Sequence, residues 1–148
     1  MSGFTLKNPA ELPARLELAR SGSLLLVDAP QVLVDLLLAW REKGAETVLA
    51  EARALSGVKQ TFEAVLLWRE DRIGSRAAME KAVRRLEPGG VLWVVTAMKK
   101  VRGPRTPAAH RLELSDLAKG LERHGLVNDR EVRMTSWHAA FRFASREP

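Results

Sequence analysis

The sequence predicts an α/β protein: a three-layer αβα sandwich around a mostly parallel sheet, with an antiparallel hairpin strand at the C-terminal end. Three observations lead there. Leu24–Val27, Phe62–Trp68 and Val91–Thr96 are apolar runs, interrupted by no charge except Glu63 and bounded by turn residues. Such runs are the pattern of strands buried on both faces. Helical stretches lie between and after them, which suits strand–helix–strand units. The tail alternates in period two, with Trp137, Ala139, Phe141 and Phe143 on one face and His138 and Arg142 on the other. Preceded by the alternating Glu131–Met134 and the Thr135-Ser136 turn, this reads as a hairpin whose last strand runs against the others.

Taken in order, Met1–Pro13 has two prolines and little pattern, and reads as an arm. Ala14–Ala19 is a candidate short helix, broken by Ser21-Gly22-Ser23. Leu24–Val27 is the first strand and ends at Asp28. Pro30 suits the first turn of a helix expected to run to about Lys43, with Gly44 closing it. Ala45–Val58 is open: either a strand over Glu46–Ala50 and a short helix over Glu51–Leu55, or helix throughout. Phe62–Trp68 is a clear strand, followed by the charged turn Arg69–Arg72. Ser75–Leu86 is amphipathic, with Met79, Ala82, Val83 and Leu86 at helical spacing. This helix is expected to end at Leu86–Glu87. Pro88-Gly89-Gly90 then turns the chain into the central strand. Ser115 is the expected cap of a last helix that carries Asp116 in its first turn and ends at Gly125.

The 148 residues, with 46% apolar and 28% charged, suit a single globular domain over residues 1–148. The absence of cysteine excludes disulfides, thiolate metal sites and cysteine nucleophiles. No apolar run is long enough to span a membrane, and the N-terminus has no signal pattern, so a cytoplasmic protein without membrane partners is expected. The net charge of +6 comes largely from one place: Met98–Arg111 holds Lys99, Lys100, Arg102, Arg105 and Arg111 and no acid. The rest of the chain is close to neutral.

FEAVLLW, a helix, LEPGGVLWVV, another helix and a closing hairpin resemble the second half of the class I methyltransferase fold. There a proline–glycine–glycine turn introduces the fifth strand and an antiparallel seventh strand ends the chain. The motifs VDAP (Val27–Pro30), GGVLWV (Gly89–Val94), Lys99–Lys100, TSW (Thr135–Trp137) and FRF (Phe141–Phe143) also resemble those of small bacterial proteins with a degenerate, Rossmann-like methyltransferase fold and no assigned activity. The match spans about residues 22–146. It departs in the longer Ala45–Lys59 segment and in Met98 before the lysine pair. The resemblance implies a methyltransferase-like fold and brings no reaction with it.

Sites in such sheets lie at the carboxyl ends of the strands. That rim would gather Asp28, Arg69, Thr96, Lys99, Lys100, Arg102 and Trp137, the candidate ligand-binding set. Lys99, Lys100 and Arg102 are placed to hold phosphates or an acidic partner. The expected function is a non-catalytic or regulatory module that binds an anionic small molecule or acidic partner there. Nucleic acid has less support, since no stacking aromatics interrupt the basic run. One alternative is a methyltransferase using S-adenosylmethionine through an atypical loop. That cofactor needs a glycine-rich turn after the first strand, but Asp28-Ala29-Pro30-Gln31 has no glycine, and no acid is seen to end a well-defined second strand. Another alternative is a homo-oligomeric interaction protein, a homodimer through a sheet edge or helix face. His110, His124 and His138 lack metal-ligand spacing, so no metal is expected. Glu70 and Asp71 are adjacent acids of a charged turn, and Arg142 needs a partner on its sheet face.

Overall fold

The structure is a computed structural model that describes residues 5–18, 20–98 and 106–145. Its elements in chain order are α1 (Leu12–Arg15), β1 (Leu24–Val27), α2 (Gln31–Trp40), β2 (Thr47–Ala50), a 3-10 helix (Ala52–Gly57), β3 (Phe62–Trp68), α3 (Ser75–Val83), β4 (Leu86–Ala97), a 3-10 turn (Ala108–His110), α4 (Leu114–Glu122), β5 (Leu126–Arg133) and β6 (His138–Ser145). The six strands form one sheet in the order β2-β1-β3-β4-β6-β5. The first four are mutually parallel; β6 runs antiparallel to both β4 and β5. The α/β architecture and the terminal hairpin are therefore as the sequence predicts, and β1 and β3 occupy the predicted residues.

Each face of the sheet has its own apolar layer, because successive side chains of a strand point to opposite faces. On one face Leu25, Val27, Val65, Leu67, Leu92, Val94 and Phe143 meet Met79 and Ala82 of α3 and Leu117 and Leu121 of α4. On the other, Leu24, Leu26, Leu66, Trp93 and Val95 meet Leu33, Val34 and Leu37 of α2. Leu6, Leu12 and Leu16 join this second layer, so the N-terminal segment covers the sheet from residue 6 onward.

The boundaries differ from the sequence reading at several points. α1 begins earlier than the expected Ala14. α2 stops at Trp40 because Arg41 is extended (ψ 156°) and its guanidinium donates to the carbonyls of Gly22 and Glu46. The Ala45–Val58 segment is strand then short helix, the first of the two possibilities. α3 ends at Val83, since Leu86 already pairs with Phe62 of β3. Pro88-Gly89-Gly90 thus lies within β4, as a bulge between the Phe62–Leu86 and Ala64–Val91 pairs. Gly90 is required there: a Cβ would stand 2.9–3.2 Å from the carbonyl oxygens of Glu87, Glu63 and Phe62. The cap of α4 is Glu113 rather than Ser115, in a reciprocal capping box with Asp116.

Candidate functional site on the carboxyl rim

The described members of the predicted set are spread along the rim. Asp28 follows β1, whereas Thr96 lies near the end of β4, with β3 between them. Two strand spacings, about 10 Å, separate those ends. Lys99, Lys100 and Arg102 lie outside the described residues.

Asp28 belongs to an open groove of about 780 Å³ whose lining includes Leu26, Asp28, Ala29, Gln31, Leu49 and Glu51. Val27 and Ala50 are partners in the β1–β2 ladder, so Asp28 and Glu51 leave adjacent strands at the same level. The Asp28 N–H continues the ladder to the Ala50 carbonyl at 2.9 Å. Asp28 has a φ of 55°, a left-handed conformation that costs a residue with a side chain roughly 1–2 kcal/mol. The tight turn into α2 is therefore made without glycine. The Asp28 carboxylate accepts the Ala52 N–H at 3.3 Å, and that of Glu51 meets Arg53 at 2.5 Å. Both acids are exposed. Glu51 is the acid at the end of the second strand that the sequence reading did not find. The ambiguity of Ala45–Val58 hid it, and only the 3-10 segment after Ala50 reveals where β2 stops.

Arg69 is engaged within the protein. Its guanidinium folds back on its own turn, donating to the carbonyls of Asp71 (2.9 Å) and Ile73. Thr96 is buried, and its hydroxyl donates to the Leu112 carbonyl at 2.9 Å. Trp137 is half-buried, and its carbonyl accepts the Met98 N–H at 2.8 Å. These three residues organise the rim's loops. Arg142 finds its partner in Glu17 at 3.1 Å.

The rim holds a network that no sequence spacing announces. The buried His138 ring lies between Glu70 Oε2, 2.6 Å from Nε2, and Thr135 Oγ1, 2.8 Å from Nδ1. Thr135 Oγ1 already accepts the N–H groups of Trp137 and His138. Its own hydrogen is left for Nδ1, so Nε2 carries the proton that faces Glu70. The His138 hydrogen bond holds the Glu70 carboxyl below its ordinary range against the opposing effect of burial, with further help from Thr106. Trp68 lies on the His138 ring, centroids 4.8 Å apart. Both ring nitrogens are engaged and Thr135 is fully buried, so the trio ties β3 to the β5–β6 turn rather than presenting a nucleophile.

Beside it, the buried Arg111 donates from Nε to the Thr106 carbonyl and from Nη1 to the Met98 carbonyl, each at 2.8 Å. One guanidinium thus holds both ends of the stretch that carries the basic residues. Among the described residues no group of three or more His, Asp or Glu side chains is arranged to hold a metal, and no helix is long and apolar enough to cross a membrane.

No protein-family model matches the chain, and no curated protein sequence does. Solved structures do. A SAM dependent methyltransferase from Aquifex aeolicus superposes with a TM-score of 0.72 at 13% identity, over 92% of this chain and 88% of that one. The fold is that of the class I methyltransferases. The N-methyltransferase NodS from Bradyrhizobium japonicum WM9 matches with a TM-score of 0.54 at 16% identity, covering 95% and 99% of the two chains. Magnesium protoporphyrin IX methyltransferase from Synechocystis PCC 6803, solved with bound SAH, matches at 0.60 and 12% identity, covering 93% and 80%. In methyltransferase terms, β4 is the strand that the proline–glycine–glycine turn introduces, here as a bulge, and β6 is the closing antiparallel strand.

Proposed function

We propose that this chain binds an S-adenosylmethionine-type ligand in the groove of Asp28 and Glu51. The observation that carries the reading is the pair of exposed carboxylates at the ends of adjacent parallel strands, where the groove opens beside the first turn of α2. Its volume lies within the roughly 300–1,000 Å³ usual for small-molecule sites. Carboxylates accept hydrogen bonds from vicinal hydroxyls, so Glu51 suits the ribose. Two acids together favour a ligand with positive charge, as on a sulfonium and an amino group. The left-handed Asp28 supplies the tight turn that glycine usually makes; Ala29 and Pro30 keep the approach to that turn narrower than a glycine loop would. When bound, S-adenosylmethionine supplies an electrophilic methyl group, and the role of this chain's residues is to hold and orient it.

Calorimetric titration with S-adenosylmethionine, S-adenosylhomocysteine, adenosine and ATP tests this. Binding of the adenosyl compounds is expected, strongest for the sulfonium and weakest for ATP, whose phosphates the two acids repel. Glu51→Ala is expected to weaken the adenosyl ligands about tenfold or more. An absence of heat at millimolar S-adenosylmethionine sinks the reading, as does tighter binding of ATP that persists in Lys99→Ala/Lys100→Ala.

The Arg111 clamp favours a second reading, an anion site at Lys99, Lys100 and Arg102. The Arg111 guanidinium holds the carbonyls of Met98 and Thr106, the described residues on either side of these basic positions. Salt-sensitive binding of inorganic phosphate or ATP, lost in Lys99→Ala/Lys100→Ala, supports it. Binding unchanged by that double substitution removes it.

A further inference from the structure

At the other end of the rim lies a concave region unused by either reading, about 480 Å³ in volume. Sheet register explains it. Thr96, Ala139 and Arg133 form one cross-strand row over β4, β6 and β5; Val94, Phe141 and Glu131 form the next row on the same face. Ala139, at the centre, is too small to fill the space between its neighbours. α4 packs on β5 near Leu126, at the opposite end of the strand, so among the described residues this helix reaches the space beside Glu131 and Arg133 with its first residue, Leu114. Leu114 is left 38% exposed and lines the space together with Phe141 and Met98.

The walls are mostly apolar, and three charged side chains line the space: Glu113, whose carboxylate is engaged in the capping box of α4, and Glu131 and Arg133 on β5. Glu131 Oε2 and Arg133 Nε are 3.6 Å apart, longer than a hydrogen bond, on side chains about half exposed. Such a pair contributes little to stability and opens at small cost. Arg133 also reaches Met98 Sδ from Nη1 at 2.8 Å, which holds the guanidinium over the apolar walls.

We infer that this is a second ligand site, for a zwitterionic amphiphile: an α-amino acid with an apolar side chain. The side chain would occupy the space over Ala139 between Leu114 and Phe141. The ammonium would meet Glu131 and the carboxylate Arg133, so each of these two side chains gains a partner of opposite sign. A lone cation or anion satisfies only one of the two. The inference is independent of the adenosyl reading, which uses Asp28 and Glu51 just after β1 and β2.

The test is calorimetric titration of the intact protein with L-phenylalanine, L-leucine and L-methionine, with phenylacetate and phenethylamine as probes that lack the ammonium or the carboxylate. At least one amino acid is expected to bind, and the phenyl probes to bind about tenfold or more weakly than phenylalanine. Glu131→Gln and Arg133→Gln, both on exposed side chains, should each weaken the amino acid about tenfold with circular dichroism unchanged. Ala139→Phe should abolish binding by filling the space; the two surface variants decide the matter if it does not fold. No heat with any amino acid overturns the site, and equal binding of phenylacetate and phenylalanine overturns the role of Glu131. Retention of binding in both surface variants overturns the assignment. Because the adenosyl titration uses other residues, either site can fail without the other.

Discussion

The two ends of the carboxyl rim are built on opposite plans. Around β3, β4 and β6 the polar side chains are committed to the fold. Glu70, His138 and Thr135 bond one another, Thr96 holds the Leu112 carbonyl, and Arg111 holds Met98 and Thr106. At β1 and β2 the acids are exposed and lightly engaged: Asp28 by one long bond to Ala52, Glu51 by a surface pair with Arg53. A buried polar group must be bonded within the protein, whereas an exposed one keeps its capacity for a ligand. Polar residues on a rim are therefore not equivalent candidates for function, and burial separates those committed to holding loops from those that keep bonding capacity for a ligand.

The contrast is most strained at Arg111. Arg111→Met should cost about 3 kcal/mol in chemical denaturation, because it deprives two carbonyls of a buried donor. A loss below about 1 kcal/mol would put Arg111 among the lightly engaged residues. Glu70→Gln comes next, with about 2 kcal/mol lost at neutral pH. The folded-state pKa of Glu70 is depressed, so its contribution is complete above the ordinary carboxylate range and is lost as pH falls through the depressed value. The stability difference between parent and Glu70→Gln should accordingly be flat at neutral pH and shrink below about pH 4.3. A difference that grew on acidification would contradict the assigned hydrogen bond.

Smaller effects are expected at the open end. Asp28→Gly removes the strain of a left-handed residue at the expense of extra freedom in the unfolded chain, so its melting temperature should match or slightly exceed the parent's. Adenosyl-ligand affinity should fall in the same variant. Glu51→Ala should alter stability least, by no more than about 0.5 kcal/mol, while weakening that ligand about tenfold. If Glu51→Ala proves as destabilising as Glu70→Gln, the distinction between the two ends fails.

How far each element could be read follows from the range of the interactions that set it. β1 and β3 are uncharged, doubly buried runs, and the local pattern suffices. The alternation of the tail likewise carries its own register signal, from which β6 runs antiparallel. Helix ends were harder, because distant partners decide them: Gly22 and Glu46 draw Arg41 out of α2, and Phe62 takes Leu86 into the sheet. The rim shows the same division. That Asp28 follows a strand is legible in VDAP. That Glu51 stands beside it depends on where β2 ends, and the Glu70–His138 bond joins residues 68 positions apart with no motif between them.

The sequence by itself determined the class of fold, the parallel strands and the closing hairpin, since apolar periodicity is a local property that burial then enforces. It also determined that charge is concentrated in Met98–Arg111. Tertiary structure alone decided which rim residues share a cavity. Strand order brings Asp28 to Glu51 and Thr96 to Ala139 and Arg133, and the order in which strands pair is set by contacts among residues far apart in the chain.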